Sequence, residues 1–529
     1  MNRRRFVRTV SQGSLAAMIG LKGTRLWAQA PPAKEPPINC APPKHGAAKR
    51  ITFDTSTPVL PRKSAWDLDP PEITRLQSAY QALRDLTVKT PNDPRGWAQQ
   101  ANIHCFNCSG GFDPSNVEIH GSWWFLPWHR CYLHVHERIL GKLIGDPTFR
   151  LAYWDWDTYP GHAILPPPFL APGALVDAYR GAVPSNVIPA KYTGAAAMAV
   201  VLGAQTSAGF MGSASQSGAL ENSPHGPVHI WTGNANPNQA NEPVGCFYPN
   251  TVGGPSEPQS PNCLDMGVLA TAAQDPIFFA HHSNIDRLWD VWVQRPGVQG
   301  NWKNTSWLHH KFNFFDENAN WVYITVADVL AAEEQNKLRY SYQPPKAKAS
   351  PTPASPTPSP KPTAAKETVK RTSPAKAMAP LMVHSAATAT AVGIKPHVQS
   401  VAVPPDHQAN LRTFADSGPE ANRHYTLHID GISLPPNEGA IVHVFAAQPD
   451  ANLETPVGPS FVGTFSIVPS GPQHQHPMER NAVFELRPET AALVAEKKNL
   501  EVTLVPEMVN GTEPLKSNLT YKKIYLSFE

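Results

Sequence analysis

The 529 residues of the chain exceed the length of one ordinary domain, so two or three folded units are expected. Lys and Arg (45) nearly balance Asp and Glu (42), and the net charge of +3 gives no reason to expect nucleic acid or a membrane surface as a partner. The 57 prolines indicate much irregular backbone, whereas the 14 tryptophans indicate a substantial packed core in part of the chain.

The N-terminal residues have the features of an export signal. Arg3 and Arg4, with Phe6 after them, form a twin-arginine pattern, and a short apolar stretch leads to a small-x-small cleavage site ending at Ala30. The apolar stretch is far shorter than the ~20 residues that span a bilayer. We therefore predict that residues 1–30 are a twin-arginine signal peptide, and that the mature bacterial protein is periplasmic or secreted without membrane anchoring. A basic amphipathic first helix is the alternative.

Three segments predict amphipathic helices. The segment PPEITRLQSAYQALRDL opens with proline and repeats apolar residues at helical spacing, and WHRCYLHVHERILGKLIG repeats them in the same way. The segment DPIFFAHHSNIDRLWDVWV opens with Asp275 as the predicted N-cap and Pro276 in the first turn. Residues 158–220 are rich in Gly, Pro, Ala and Ser and predict long loops over this helical core.

The composition changes after the helical region. Residues 344–395 are rich in Pro, Ala, Ser and Lys, and they contain too few apolar side chains to offset the entropy of chain ordering, so they predict an extended linker. Residues 396–529 alternate apolar and polar side chains in runs such as HYTLHIDGI and NLEVTLVP, which turn residues separate. Roughly six or more short strands of this kind predict a C-terminal antiparallel β-sandwich.

Histidines are concentrated in three stretches, IHCFNCSGGFDPSNVEIHGSWWFLPWHR, SPHGPVHIW and FAHHSN. Six imidazoles can be drawn from them as two sets of three, with no carboxylate or thiolate needed as a ligand. All-imidazole coordination suits copper, and two neighbouring copper ions held in this way can bind dioxygen between them. The residues therefore indicate a phenol-oxidising enzyme of the dicopper type.

Each stretch taken alone allows a simpler interpretation. His225 and His229 are spaced i,i+4, which places them on one helical face, but this spacing is common by chance. A zinc protease would need a glutamate directly after the first histidine, where Gly226 stands. His282 follows an apolar run and, taken alone, is more typical of a core histidine than of a metal ligand.

Two longer motifs resemble a known family. Residues 120–137 (HGSWWFLPWHRCYLHVHE) and 275–286 (DPIFFAHHSNID) are similar, position by position, to the two copper signatures of the tyrosinase family. Nearly the whole mature chain resembles the plant-type polyphenol oxidases, or catechol oxidases, of that family. The resemblance implies a mainly α catalytic domain over residues 31–343, with a central four-helix bundle that holds the dicopper site. It also implies that the β-sandwich of residues 396–529 covers the copper entrance as a lid.

The same resemblance assigns the metal ligands. It gives three histidines to each copper ion: His104, His120 and His129 to the first, and His225, His229 and His282 to the second. Of the adjacent pair, His282 occupies the ligand position, and His281 is expected to be a buried neighbour.

The cysteines fit the family pattern in part. The resemblance implies a thioether bond between Cys108 and His120, and a disulfide between Cys105 and Cys40. Cys131, on the predicted ligand-bearing helix, is interpreted as a small buried hydrophobic residue. Two further cysteines flank a Pro/Gly loop and could close another bridge: Cys246 and Cys263.

Four positions bear on the chemistry and on the substrate entrance. Glu221 stands where the family places an acid that holds a water near the metals, although a glutamate facing a helix N-terminus is the alternative. Gly226 stands where good monophenol hydroxylases often carry asparagine, so diphenol oxidation is favoured over monophenol hydroxylation. Leu269 replaces the phenylalanine usual in the plant enzymes, and we assign it to the substrate entrance with Gly226 and Ile230.

The function predicted from these features is copper-dependent oxidation of o-diphenols to o-quinones, with reduction of O2 to water and weak hydroxylation of monophenols. Small phenols and O2 are the expected partners. Three alternatives stand beside it. The chain could be a hemocyanin-like oxygen-binding protein, a tyrosinase with full monophenolase or o-aminophenol oxidase activity, or a wall- or polymer-binding protein whose β domain carries the function.

Overall fold

The structure is a computed structural model, and it describes residues 39–108, 118–177, 179–182, 185–234, 247–249, 256–258, 265–296, 298, 303–346, 379–393, 395–417, 424–434, 439–469, 478–507 and 519–528. Several predictions from the sequence fall outside these residues: the signal peptide of 1–30, most of the linker (347–378), and the pair Cys246 and Cys263. Among the described residues, no helix combines the length and the apolar character needed to cross a membrane.

The first part of the chain is mainly helical. Its helices are α1 (Pro70–Lys89), α2 (Trp97–Asn107), α3 (Phe125–Leu143), α4 (Ala190–Thr193), α5 (Ala195–Gly203), α6 (Ser207–Met211), α7 (Gly226–Asn234), α8 (Ile277–Val293), α9 (Thr305–Leu308) and α10 (Val326–Glu334). Short 3-10 turns lie at Pro160–His162, Pro167–Phe169, Asp265–Gly267 and Ala272–Gln274, and a π-helical turn at Glu221–His225 leads into α7. Helices α2, α3, α7 and α8 form the central bundle.

The helix ends follow the capping residues in the sequence. Asp69 and Glu72 form a capping box at the start of α1, where Pro70 occupies the first turn. At α8, the Asp275 carboxylate accepts a hydrogen bond from the Ile277 N–H (3.0 Å), so the helix begins one residue later than predicted. The prediction of loops throughout 158–220 was incomplete, because its alanine-rich stretch has the composition of a good helix former and builds α5.

Small strands accompany the helical part. They are β1 (Lys49–Arg50), β2 (Leu60–Arg62), β3 (Gly212–Ser213), β4 (Gln216–Ser217), β5 (Phe247–Pro249), β6 (Ser256–Pro258), β7 (Lys311–Phe315), β8 (Trp321–Thr325) and β9 (Tyr340–Tyr342). Strands β1, β8 and β7 form one sheet, β2 pairs with β9, and β5 pairs with β6. The β2–β9 pair brings Arg62 beside Tyr342 in register, near the buried ends of the ligand helices.

The C-terminal part is a β-sandwich with two helices. Its strands are β10 (Leu381–Ala391), β11 (His397–Ala402), β12 (Tyr425–Leu434), β13 (Ala440–Ala446), β14 (Phe461–Ile467), β15 (Met478–Glu485), β16 (Asn499–Glu507) and β17 (Thr520–Phe528), and its helices are α11 (Pro405–Ser417) and α12 (Pro488–Glu496). One sheet has the order β10-β17-β12-β15-β4-β3, and the other has the order β11-β16-β13-β14. Apolar side chains from both sheets form a common buried core, as a sandwich requires.

Two features of this sandwich differ from the sequence prediction. Strand β10 lies inside the segment 344–395 that we predicted as linker, because its Ala, Ser and Thr residues resemble the linker composition rather than a typical apolar strand. In addition, β4 pairs in parallel with β15 through Ser217 and Ala482. The helical part therefore supplies the edge hairpin β3–β4 of a C-terminal sheet, which joins the two parts by backbone pairing.

Candidate metal centre

The six histidines predicted as ligands meet inside the central bundle. All six side chains are buried, with at most 3% of their surface exposed. Helices or the turns just before them position the rings: His104 on α2, His120 before α3, His129 on α3, His225 directly before α7, His229 on α7 and His282 on α8. Residues far apart in sequence are thus brought together by facing helices, which is how bundles generally build metal sites.

The imidazole nitrogens form two adjacent groups. In each group, one nitrogen per ring lies within 4.8 Å of the others: His104, His120 and His129 in the first, and His225, His229, His281 and His282 in the second. The groups adjoin, because the rings of His129 and His282 stack with their centroids 4.1 Å apart. The geometry is therefore that of two neighbouring sites, each with at least three imidazoles.

Hydrogen bonds orient several of these rings. His129 Nδ1 lies 2.8 Å from the Phe125 carbonyl, and His229 Nδ1 lies 2.8 Å from the Met266 carbonyl, so each ring turns its Nε2 inward. Fixing one nitrogen in this way is the usual means of aiming the other at a metal. The Nε2 atoms of four of the rings are buried without a hydrogen-bond partner among the described residues: His104, His120, His129 and His225.

The protonation state of the rings also fits a metal site. Burial lowers the pKa of each of the six imidazoles, and it lowers the pKa of His229 to about 4. They are therefore neutral near pH 7, which is the form that coordinates a metal. Buried, unpartnered imidazole nitrogens of this kind fit copper better than a hard cation, which prefers oxygen ligands.

The adjacent histidines His281 and His282 have different surroundings. His282 Nε2 lies 3.2 Å from His229 Nε2, so the two nitrogens face each other at the centre of the second group. His281 Nδ1 instead lies 3.2 Å from the indole Nε1 of Trp156 and accepts its hydrogen bond. His281 thus has a neighbour outside the histidines at Nδ1, although it also belongs to the second nitrogen group, and its role as a buried neighbour stays a prediction.

A buried ion network holds the ligand helices in place. Asp286 on α8 accepts hydrogen bonds from Arg130 Nε on α3 (2.5 Å) and from the Tyr340 hydroxyl (2.6 Å). Arg62 Nε donates to Glu137 on α3 (2.8 Å), and its guanidinium also lies 3.5 Å from Asp286. The carboxylates of both copper-signature motifs therefore fix α3 against α8. A buried charge without a partner strongly destabilises the folded state, so all members of this network must be present together.

The Glu221 carboxyl group contacts a residue distant in sequence rather than the N-terminus of its own helix. Its Oε1 accepts a hydrogen bond from the Gly121 N–H (2.6 Å), and its Oε2 is buried without a hydrogen-bond partner among the described residues. Burial raises the pKa of Glu221 to about 8, although nearby Arg480 acts in the opposite direction. The carboxyl group therefore stands beside the residue that follows His120, with one oxygen left for a water or a substrate.

A small cavity of about 30 Å³ lies next to both histidine groups. Its lining includes side chains of both parts of the chain: His120, Glu221, Asn222, His225, Gly226 and Leu269 from the helical part, and Ser466, Ile467, Val468 and Arg480 from the sandwich. It has room for about two water molecules but not for a phenol ring. Of the three predicted entrance residues, Gly226 and Leu269 line it, whereas Ile230 is buried but is not among its lining residues.

Two carboxylates anchor the sandwich to the helical part. Glu485 Oε2 accepts hydrogen bonds from the backbone N–H groups of Gln205 and Thr206, both at 3.1 Å. Glu507 Oε1 lies 2.7 Å from Lys191 Nζ, and its other oxygen accepts the Tyr192 hydroxyl. With the β4–β15 pairing, these contacts seat the C-terminal part directly over the histidine groups.

The cysteines are placed as follows. Cys40 and Cys105 form a disulfide with their Cα atoms 4.9 Å apart, as the resemblance implied. Cys108 is buried at the end of α2, where its N–H donates to the His104 carbonyl (3.0 Å). Cys131 is also buried, and burial raises the pKa of its thiol far above the usual range, which agrees with a hydrophobic packing role.

Several site residues escaped the sequence analysis. They are Arg62 and Trp156, which support the ligand helices, Met266, which orients His229, and Ser466 and Arg480, which line the cavity. A carbonyl acceptor such as that of Met266 has no side-chain signature. Of these residues, only Arg62 could have been found from the sequence. The acidic residues Glu137 and Asp286 of the two motifs need a positive counter-charge when they are buried, and the Arg62 guanidinium supplies it.

Neighbouring imidazole triads in a helical bundle define a class of protein with a two-metal, all-histidine centre. Residues 94–182 and 181–295 match the family model of the common central domain of tyrosinase, and residues 301–352 match that of the polyphenol oxidase middle domain. The chain belongs to the tyrosinase family, as a member of the polyphenol oxidase type. Proteins of this family bind two copper ions, and the two histidine groups are consistent with that centre.

Three relatives illustrate the similarity. A latent-form polyphenol oxidase of Prunus armeniaca is 34% identical over 349 residues, which is 60% of this chain and 54% of the relative. A polyphenol oxidase of Malus domestica is 30% identical over 489 residues, which is 85% of this chain and 75% of the relative. The solved structure of latent apple tyrosinase superposes with a TM-score of 0.68 at 24% identity, and covers 91% of this chain and all of that one. The chain spans about half the length of most of the curated relatives it matches.

The predicted location is contradicted by these comparisons. The relatives are chloroplastic polyphenol oxidases of plants, so the prediction of twin-arginine export to a bacterial periplasm or medium is wrong. The prediction failed because the first 30 residues contain several arginines and serines but no acidic residue. Organelle transit peptides share this composition, so an arginine pair before a short apolar stretch does not distinguish the two.

Proposed function

We propose that this chain oxidises o-diphenols to o-quinones while it reduces O2 to water, and that it hydroxylates monophenols only weakly. The observation that carries the proposal is the pair of buried imidazole groups that adjoin at His129 and His282, beside a cavity that contains Glu221. Each O2 would oxidise two diphenols and give two waters. Two copper ions bound by these imidazoles would supply the binding of O2 and the acceptance of electrons.

Three histidines would hold each ion. In this proposal His104, His120 and His129 hold the first ion, and His225, His229 and His282 hold the second. The second nitrogen group also contains His281, which the proposal does not use as a ligand. The carbonyls of Phe125 and Met266 keep the rings of His129 and His229 in one orientation, so binding needs little rearrangement. The ion network around Asp286 keeps the spacing of the helices fixed.

Glu221 would handle the proton of the substrate. Its Oε1 accepts the Gly121 N–H, and its Oε2 has no hydrogen-bond partner among the described residues, so Oε2 would accept, through a water, the proton that leaves a phenolic hydroxyl. Because burial favours the neutral carboxyl, Glu221 holds a proton taken from the substrate more firmly than an exposed glutamate would. Leu269 covers the same cavity with an aliphatic side chain, which gives a bound ring an apolar surface without a stacking partner.

The direct test of the function is an oxygen-electrode assay on copper-loaded protein with catechol, tyrosine and an o-aminophenol. The C-terminal sandwich should be removed first, because the cavity beneath it does not admit a phenol. We expect rapid O2 uptake with catechol and slow, lagging uptake with tyrosine. No O2 uptake with any of the three phenols, at full copper content, would refute the proposed function.

Substrate scope should respond to position 226. Gly226 has no side-chain oxygen to orient the water that helps a monophenol lose its proton, so Gly226→Asn should raise the tyrosine rate more than the catechol rate, by about tenfold in the ratio. The two rates should be compared in protein that lacks the sandwich, because in the full chain a side chain at position 226 would collide with Ser466. Gly226→Ala is the matched control and should leave the ratio unchanged. Equal tyrosine and catechol rates in the unmodified protein would contradict the expectation.

The thioether between Cys108 and His120 is a further expectation. Both side chains are buried, and the covalent bond would restrain a ring whose two nitrogens have no hydrogen-bond partner among the described residues. In copper-loaded protein that has been denatured and reduced, Cys108 should not react with a thiol reagent, while Cys131 should react fully. A peptide mass showing an unmodified Cys108 in active protein would rule out the crosslink.

A further inference from the structure

Gly226 meets the C-terminal sandwich directly. A Cβ built on Gly226 would overlap Ser466 Oγ, lie 3.0 Å from Ser466 Cβ and lie 3.6 Å from Val468 Cγ2. These three nearest atoms all belong to the sandwich. The Ser466 hydroxyl is itself fixed, because it donates a hydrogen bond to the Asn222 carbonyl (2.8 Å) just before α7.

The backbone does not explain the glycine. Gly226 has φ −62° and ψ −45°, which lie in the ordinary helical region that any residue readily adopts. Gly121, on the opposite side of the cavity, differs, because its φ of +74° favours glycine whatever lies above it. The Arg480 guanidinium lies against Gly121. Of these two glycines, therefore, it is Gly226 at which the space taken by the sandwich, rather than the backbone conformation, accounts for the missing side chain.

Ser466 has little freedom to move away. Rotating its hydroxyl would break the hydrogen bond to Asn222, and its Cβ would still lie 3.0 Å from the new methyl group. The residue belongs to β14, where it pairs in register with Ile441 of β13. Removing the overlap between the new methyl group and Ser466 would therefore require the strand to shift together with its sheet. Close-packed interiors resist such a shift.

We propose that Gly226 couples the chemistry of the site to the seating of the C-terminal sandwich. A side chain at position 226 and a docked sandwich exclude each other. An asparagine side chain at position 226 would favour monophenols. The same position must lack a side chain for the sandwich to close over the histidines. The inference rests on the proposed function, since the consequence for catalysis needs an active site beneath the sandwich.

The test uses the full chain with four variants: Gly226→Ala, Ser466→Gly, their double variant, and Gly203→Ala as a control at a glycine with no atom within 4 Å of its would-be Cβ. Each protein is cut once within residues 346–376 without removing either fragment. The concentration at which the fragments separate on size exclusion then measures docking, without any need for copper. The catechol rate of the uncut chain, divided by that of the separated N-terminal fragment, measures coverage of the site.

We expect Gly226→Ala to raise the dissociation constant of the fragments by at least about tenfold, and to raise the relative rate of the uncut chain in parallel. Ser466→Gly should restore tight docking in the Gly226→Ala chain, because the nearest remaining sandwich atom is then an ordinary contact at 3.6 Å. Gly203→Ala should change neither quantity.

Three results would overturn the inference. One is unchanged docking in Gly226→Ala. Another is a double variant that docks as weakly as Gly226→Ala, which would place the effect in the helix rather than at Ser466. If Gly226→Ala does not fold, the double variant should fold, and its failure would count against the inference in the same way. Absence of catechol oxidation in every separated fragment would refute the proposed function instead, and the docking result would still stand.

Discussion

Replacing His282 with alanine should remove at least one of the two copper ions and lower catechol oxidation by more than about 100-fold. His282 Nε2 faces His229 Nε2 at 3.2 Å, and its ring stacks on His129, so it stands where the two nitrogen groups adjoin. His281→Ala should retain at least part of both the copper and the activity, since that ring accepts its hydrogen bond from Trp156. Copper content per chain and O2 uptake are the measurements.

A second measurement separates ligation from packing. A metal that binds only the folded state raises the melting temperature, so the difference in Tm between copper-loaded and copper-free protein reports binding directly. This difference should shrink strongly in His282→Ala and only slightly in His281→Ala, although both copper-free variants lose buried contacts. If His281→Ala alone abolished copper binding and His282→Ala kept both ions, the assignment within the pair would be reversed.

The ligand set was predictable from sequence because it depends on local spacing. The motif around His129 and the motif around His282 each lie on one helix, and helical periodicity places their apolar residues in the core and their histidines toward each other. The same motifs contain Arg130 and Asp286, whose buried ion pair joins the two helices. The bundle and its centre thus follow from two short segments whose local structure agrees with the global fold.

The parts that sequence analysis missed depend on contacts between distant segments. The carbonyl of Met266 orients His229 through a loop that no periodicity predicts. Ser466 and Arg480 reach the cavity from the C-terminal sandwich, and neither residue type suggests such a position. Strand β10 was taken as linker because pairing with β17, rather than its own small residues, determines that it forms a strand.

The full-length chain should be nearly inactive on catechol, and cutting within residues 346–376 followed by removal of the sandwich should raise the rate at least about tenfold. The cavity over His120 and His225 is only about 30 Å³, and Ile467 and Val468 are among its lining residues. Dioxygen and water fit such a space, but a phenol ring does not. The uncut linker keeps the sandwich at an effective concentration on the order of millimolar, so even weak docking covers the site.

Mild acid should not release the sandwich through its Glu507 anchor. Burial alone would raise the pKa of this carboxyl, but hydrogen bonds from His443, Lys191 and Tyr192 outweigh it and lower the pKa to about 2. A carboxyl with a lowered pKa stabilises the docked state fully above its ordinary value near 4.5, and this contribution is lost only as the pH falls towards 2. Latency measured between pH 5 and pH 8 should therefore be constant as far as this anchor is concerned, whereas Glu507→Gln should weaken docking across that whole range.

The decisive comparison is between the intact chain and its separated N-terminal fragment, at equal copper content. If the sandwich is a lid, the fragment should be faster on catechol, and the gain should be larger for bulky diphenols than for catechol itself, because a partly open lid excludes large rings first. Adding the separated C-terminal fragment back should lower the rate again, with a dependence on concentration that matches the docking measured by size exclusion. A fragment that keeps its copper but is no faster than the intact chain would mean that the sandwich does not restrict access. The contacts of Glu485, Glu507 and Ser466 would then serve stability alone, and removing the sandwich should lower the melting temperature without changing turnover.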